Sequence, residues 1–180
     1  MLRALARAVN GAMTVGAALI GGAVAPASAQ DLPDTGVEQH GWLSLGLGTS
    51  SVAGSLSAVG SFWYTRRALA LAFQSTSNGA EFGEQRDGLA LLAGRTSGTA
   101  TRRLVGALGL AHVHSHFTCE DFCADVPDAT HLALAFAGEA FVNRKHVGFG
   151  VDTFGALGAS RASYVGVGLS VQLGRLGTRH

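Results

Sequence analysis

Histidine recurs at alternate positions in His112-Val113-His114-Ser115-His116, and a run of sulfur and carboxylate residues follows: Cys119, Glu120, Asp121, Cys123, Asp125 and Asp128, then His131. In an extended strand, His112, His114 and His116 project from one face, with neighbours about 7 Å apart. Imidazoles at that spacing can share a metal, and imidazole nitrogen suits Zn, Cu or Ni. His131, opening the next apolar segment, completes a candidate ligand set of His112, His114, His116 and His131. The two cysteines, Cys119 and Cys123, offer thiolates or, in an oxidising compartment, a disulfide closing a very short loop. The disulfide is the expected state. The acids of this segment lack the spacing of a calcium-binding loop.

Two further sets of residues have chemical potential. Glu139 and Asp152 stand among small residues and could act as an acid/base pair if buried together. Ser115 lies between two histidines, the residue types of a serine hydrolase. Adjacent residues of a strand point to opposite faces, so neither neighbour can serve as its base, which leaves His131 for that role. No phosphate-cradling glycine loop, zinc signature or internal repeat beyond hairpins is present. No resident cofactor is expected, and a net charge of +1 gives no basis for nucleic-acid binding.

The elements that must carry these residues are strands. Residues 1–29 read as a cleaved signal peptide. Arg3 and Arg7 precede an apolar Ala/Gly-rich stretch, and Ala27-Ser28-Ala29 forms the small-x-small cleavage pattern. Residues 30–180 then form one domain ending in a short polar tail. The chain is 47% hydrophobic and 14% charged, with 26 glycines, yet past the leader no apolar run approaches the roughly 18 residues of a membrane helix. Apolar residues are dispersed over short segments that alternate with period two.

Eight such segments are expected: Trp42–Thr49, Gly54–Tyr64, Ala68–Gln74, Gly88–Arg95, one from Arg103, His131–Phe141, Val147–Phe154 and Tyr164–Leu173. Large apolar residues occupy one face and Gly, Ser, Ala and a few acids the other. Short links carrying basic pairs follow segments two, four and six. Longer loops, Ser75 to Asp87 and Ser115 to Thr130, follow segments three and five. Eight strands enclose too little space to bury so many Leu, Val and Phe side chains inward. Turning them toward lipid, with small residues in the lumen, resolves the conflict and satisfies every backbone group by closure. The expected fold is all-β: an eight-stranded antiparallel transmembrane up-and-down barrel. The aromatic residues Phe62, Trp63, Tyr64 and Phe141, beside basic pairs, are expected to form an interfacial girdle. Parity places the three strand-five histidines on the outer face with Leu104, Leu108 and Leu110.

This pattern resembles the small outer-membrane barrels of the OmpA and OmpX type. The resemblance covers the whole segment after the leader and is architectural. The last strand ends at Leu173, where such barrels commonly carry an aromatic residue. It implies a bacterial outer-membrane location, contact with membrane lipids including outer-leaflet lipopolysaccharide, and a non-enzymatic role in envelope structure, adhesion or ligand contact through the loop Ser115 to Thr130. Two alternatives stand beside it: a membrane-embedded lipid-modifying hydrolase or acyltransferase, and a soluble periplasmic barrel enclosing a small apolar ligand.

Overall fold

A computed structural model of the protein describes residues 39–52, 56–79, 83–99, 101–118, 127–144 and 146–175. The expected signal segment and the last residues of the polar tail lie outside this set, as do Cys119 and Cys123. Eight strands are present: β1 (Gln39–Ser50), β2 (Leu56–Arg66), β3 (Leu69–Gly79), β4 (Gly83–Gly98), β5 (Arg102–Thr118), β6 (Ala129–Arg144), β7 (Val147–Leu157) and β8 (Tyr164–Arg175). Each pairs antiparallel with the next, and β8 returns to β1 to close the barrel. The order is up-and-down, as expected from the sequence.

Register fixes the stagger. Followed from partner to partner, Gln39 leads through Arg66, Leu69, Arg95, Gly106, Gly138, Thr153 and Val167 to Thr49, ten residues further along β1. Eight strands at a shear of ten must tilt strongly to the barrel axis, and strand number and shear together set a narrow interior.

The side-chain alternation falls as the sequence indicates. Leu47, Leu132 and Leu169 on the outer face are 72%, 71% and 73% exposed, whereas alanines, serines and glycines turn inward. A soluble barrel with an apolar interior is thereby excluded, because its large aliphatic side chains would lie inside. Leu92, which interrupts the alternation of β4, turns into the lumen and is buried.

Two expectations about the ends of strands are corrected. The segment Ser75 to Asp87, expected as a loop, is mostly β-ladder: Ser75 pairs with Leu89, Ser77 with Asp87 and Gly79 with Gln85. Likewise β5 runs on to Thr118, and Ser115 pairs with Ala129. These extensions carry polar residues on both faces, so they show no hydropathy alternation although their backbones continue the ladder. They are the parts of the strands that rise past the apolar belt.

The two rims differ. At one rim lie Gln39, Arg175 and the tight links after β2, β4 and β6. Arg67 takes the first place in the two-residue link after β2, with φ 57°, the left-handed region used by tight hairpin turns. At the other rim the link after β7 contains a 3-10 turn, Ser160–Ala162, that folds inward. Ala162 and Val52 there are fully buried. Arg86 Nη1 donates to Ser163 O, and Arg161 Nη1 donates to Pro127 O at 3.2 Å, so this link is tied across the mouth of the barrel.

Candidate functional site

The lumen contains one built polar layer. Alternation sends Trp42 and Trp63 inward from β1 and β2, and register places them opposite each other. Their indoles stack with centroids 5.9 Å apart and planes 12° from parallel. Phe141 of β6 packs against Trp42 at 5.6 Å, and the Arg103 guanidinium lies 5.6 Å from the Trp42 ring centroid. Indoles buried in this way need an acceptor for their N–H groups, and Glu139 supplies it. Its carboxylate accepts from Trp63 Nε1 at 2.7 Å, Ser61 Oγ at 3.0 Å and Trp42 Nε1 at 3.2 Å. Beside it, Gln172 donates to Ser170 Oγ at 2.8 Å and Ser44 Oγ at 3.5 Å. Trp63 and Phe141 therefore belong to the lumen and leave the expected girdle. Only Phe62 and Tyr64 of that group face outward. Parity already carried this signal: Trp63 shares a face with Ser61, and Phe141 with Glu139.

Glu139 and Asp152 are register partners on β6 and β7, and both are buried. The sequence expectation that they lie together inside is met in this sense. Asp152 extends over Gly46 and Gly168, where a Cβ would collide with its carboxylate. Among the described residues its two side-chain oxygens find no hydrogen-bond donor. Glu139 is engaged in holding the two indoles and the Ser61 hydroxyl. Nearer the opposite rim, Tyr164 OH and Thr76 Oγ1 share a hydrogen bond of 2.5 Å, and Phe154 is buried beside Gly166. The lumen is thus filled near both ends.

The histidines occupy the other candidate site. His112, His114 and His116 project from the outer face of β5, as parity required. His112 pairs in register with Leu89 and Leu132 at the edge of the apolar belt. His114 and His116 lie above it, with ring centroids 5.6 Å apart and planes 29° apart. His114 Nδ1 is 3.2 Å from Thr130 Oγ1, and its Nε2 is 3.8 Å from Asp128 Oδ2. His116 Nε2 is 2.7 Å from Gln85 Oε1. His131 pairs with the inward-facing Val113 and so points to the opposite face of the sheet. The expected four-histidine set is therefore split by strand parity. Among the described residues no three His, Cys, Asp or Glu side chains converge on one point. Ser115 faces the lumen, and its hydroxyl donates to Ala129 O at 3.3 Å. The sheet itself separates it from His114 and His116.

No protein-family model matches the chain, and no curated protein matches it in sequence. Solved structures do match in fold. The N-terminal barrel domain of Pseudomonas aeruginosa OprF superposes with a TM-score of 0.58 at 14% identity, over 78% of this chain and 99% of that domain. The Yersinia pestis attachment invasion locus protein Ail, solved with the heparin analogue sucrose octasulfate, gives 0.53 at 13% identity, over 78% and 99%. The fold is that of the small outer-membrane barrels. Neisserial surface protein A adds a third such likeness, with a TM-score of 0.50 at 11% identity, over 77% of this chain and 99% of that one. An outer-membrane barrel turns its large apolar side chains to lipid and closes its sheet without edges, and this chain does both. Its place is a bacterial outer membrane.

Proposed function

We propose that the protein is a non-enzymatic outer-membrane barrel whose filled lumen makes it a rigid base for two hairpins, β3–β4 and β5–β6, that meet ligands outside the cell. The observation that carries this reading is the lumen. Trp42, Trp63 and Phe141 with Glu139 fill it near one rim, and the tied link after β7 covers the other. A barrel filled in this way has no route for solutes, so its selectable surface is its rim. The rim rises where β3 to β6 continue past the belt with polar residues on both faces.

Ser115 and His131 share the lumen face of the β5–β6 pair, but the Ser115 hydroxyl donates to Ala129 O at 3.3 Å and not to an imidazole, which weighs against the hydrolase reading. The chemistry of the rim also narrows the ligand. The loop Ser115 to Thr130 holds Glu120, Asp121, Asp125 and Asp128 and no Lys or Arg, so a sulfated glycan such as the one bound to Ail would meet like charge. A neutral or cationic partner fits better. A disulfide between Cys119 and Cys123 would stiffen the tip of that loop. Outer-leaflet lipopolysaccharide remains the expected lipid contact of the upper belt.

Two measurements test this function. Purified barrel in planar bilayers should give no stepwise conductance, and cells expressing a variant with residues 117–127 shortened should lose surface-ligand binding while retaining a folded barrel. Open-channel conductance would overturn the reading, and so would binding indifferent to the hairpin.

A further inference from the structure

We propose that His114 and His116 form a two-imidazole chelate for a divalent transition-metal cation, Zn²⁺ or Cu²⁺, on the outer wall of the β5–β6 hairpin above the lipid belt. Alternate residues of one strand present both rings on one face, and their centroids are 5.6 Å apart. A metal about 2.0–2.1 Å from one nitrogen of each ring holds two imidazole centroids at close to that separation.

The hydrogen bonds prepare the rings for this role. Metal-binding histidines fix their tautomer by donating the second ring N–H to an oxygen. Gln85 Oε1, an amide oxygen, can only accept, so His116 Nε2 is the donor across their 2.7 Å contact. The lone pair of His116 then resides on Nδ1, which is buried and has no hydrogen-bond partner among the described residues. An acceptor left in that condition costs free energy until something supplies positive charge or a proton. His114 Nδ1 and Thr130 Oγ1 share a hydrogen bond that either atom can donate. The tautomer with the proton on Nδ1 leaves a lone pair on Nε2, and the Asp128 carboxylate 3.8 Å from that nitrogen lowers the cost of bringing a cation there. Imidazole nitrogens favour Zn²⁺ and Cu²⁺ over the hard alkaline-earth ions. Water fills the remaining coordination positions, in keeping with the lack of a third converging side chain.

His112 and His131 take no part. His112 is one further alternate position down, level with Leu89 and Leu132, and His131 faces the lumen. The contact of His114 with Asp128 has a competing explanation as a simple ion pair, which predicts no affinity for metal.

The test is calorimetric titration of Zn²⁺ into the full-length barrel in detergent micelles, with histidine ring resonances followed by NMR. Heat-dependent gel mobility verifies that every variant is folded. The wild type should bind one equivalent, shifting the rings of His114 and His116. His114→Ala and His116→Ala should each weaken binding about tenfold or more, and Gln85→Leu by about tenfold through loss of ring orientation. His112→Ala, His131→Ala and the double variant Cys119→Ser/Cys123→Ser should stay within about twofold of wild type, well inside the range of a lost second-shell partner. Absence of binding at millimolar Zn²⁺ would overturn the proposal. Binding that survives the double variant His114→Ala/His116→Ala, or that disappears with the cysteines, would do so equally.

Discussion

Replacing Glu139 with alanine should destabilise the barrel by about 2–3 kcal/mol, a value that follows from three hydrogen bonds. The carboxylate accepts from Trp42 Nε1, Trp63 Nε1 and Ser61 Oγ. After truncation Trp63 retains an acceptor, since its Nε1 is also 2.8 Å from Ser61 Oγ. The Trp42 N–H and the Ser61 hydroxyl are left without theirs. Two orphaned buried donors cost roughly 2–6 kcal/mol in all. Against this, removal of a carboxylate from a buried site relieves part of its desolvation cost, which brings the expected loss toward the lower half of the range. Glu139→Gln keeps one oxygen for Trp63 and Ser61 but presents an amide N–H₂ to Trp42, so it should cost about 1 kcal/mol, less than the alanine variant. The assay is reversible denaturant unfolding in lipid vesicles followed by tryptophan fluorescence. The chain has two tryptophans, and both belong to this layer, so the signal reports the site itself. An alanine variant as stable as wild type would refute the account, because desolvation would then outweigh the hydrogen bonds.

Other consequences can be checked in the same system. Leu91→Arg, at an outward position 69% exposed, should cost about 2–4 kcal/mol if that position lies near the bilayer midplane, whereas Ser77→Arg, above the belt, should be nearly neutral. Equal effects would mean that the belt boundary is misplaced. Gly168→Val brings a side chain against Asp152 Oδ1 and the Leu47 carbonyl, both within 3.0 Å of the added Cβ, and should lower the fraction of heat-shifted, folded barrel on gels. Arg67→Gly removes the cost of a left-handed backbone at φ 57° and should raise stability by about 1 kcal/mol, read from the same unfolding curves.

Much of this fold is legible in the sequence because a narrow barrel imposes a strict rule: each residue faces either lipid or lumen, and the two environments select opposite residue types. Tyr164 to Leu173 obeys the rule throughout, and so β8 is readable in both bounds and facing. The rule is silent where both sides are aqueous, so Ser75 to Gly79 reads as loop although it is strand. It misleads where a large aromatic turns inward. Trp63 beside Arg66 resembles an interfacial anchor until Ser61 and Glu139 are seen to need its indole N–H. The histidine row was legible as a row, since parity alone puts His112, His114 and His116 together, whereas the turning of His131 to the opposite face comes from its register with Val113. Which two could cooperate was not legible. That depends on Gln85, remote in sequence and adjacent only through the β4–β5 register.

The closing pair of strands has a consequence for how the molecule is made. Seven of the eight strand pairings join consecutive strands, so each can zip locally as a hairpin. The eighth joins residues 41–50 to residues 166–175, nearly the whole chain apart, and its loop-closure cost is met only at the end. Until then β1 and β8 both expose unpaired backbone groups, and in lipid each such group costs several kcal/mol. An open seven- or eight-stranded sheet is therefore no resting place within the bilayer, and insertion and closure must be completed together. Loss of β8 would remove far more than one eighth of the wall: it would leave β1 and β7 as bare edges and the remaining sheet without a stable form in the membrane.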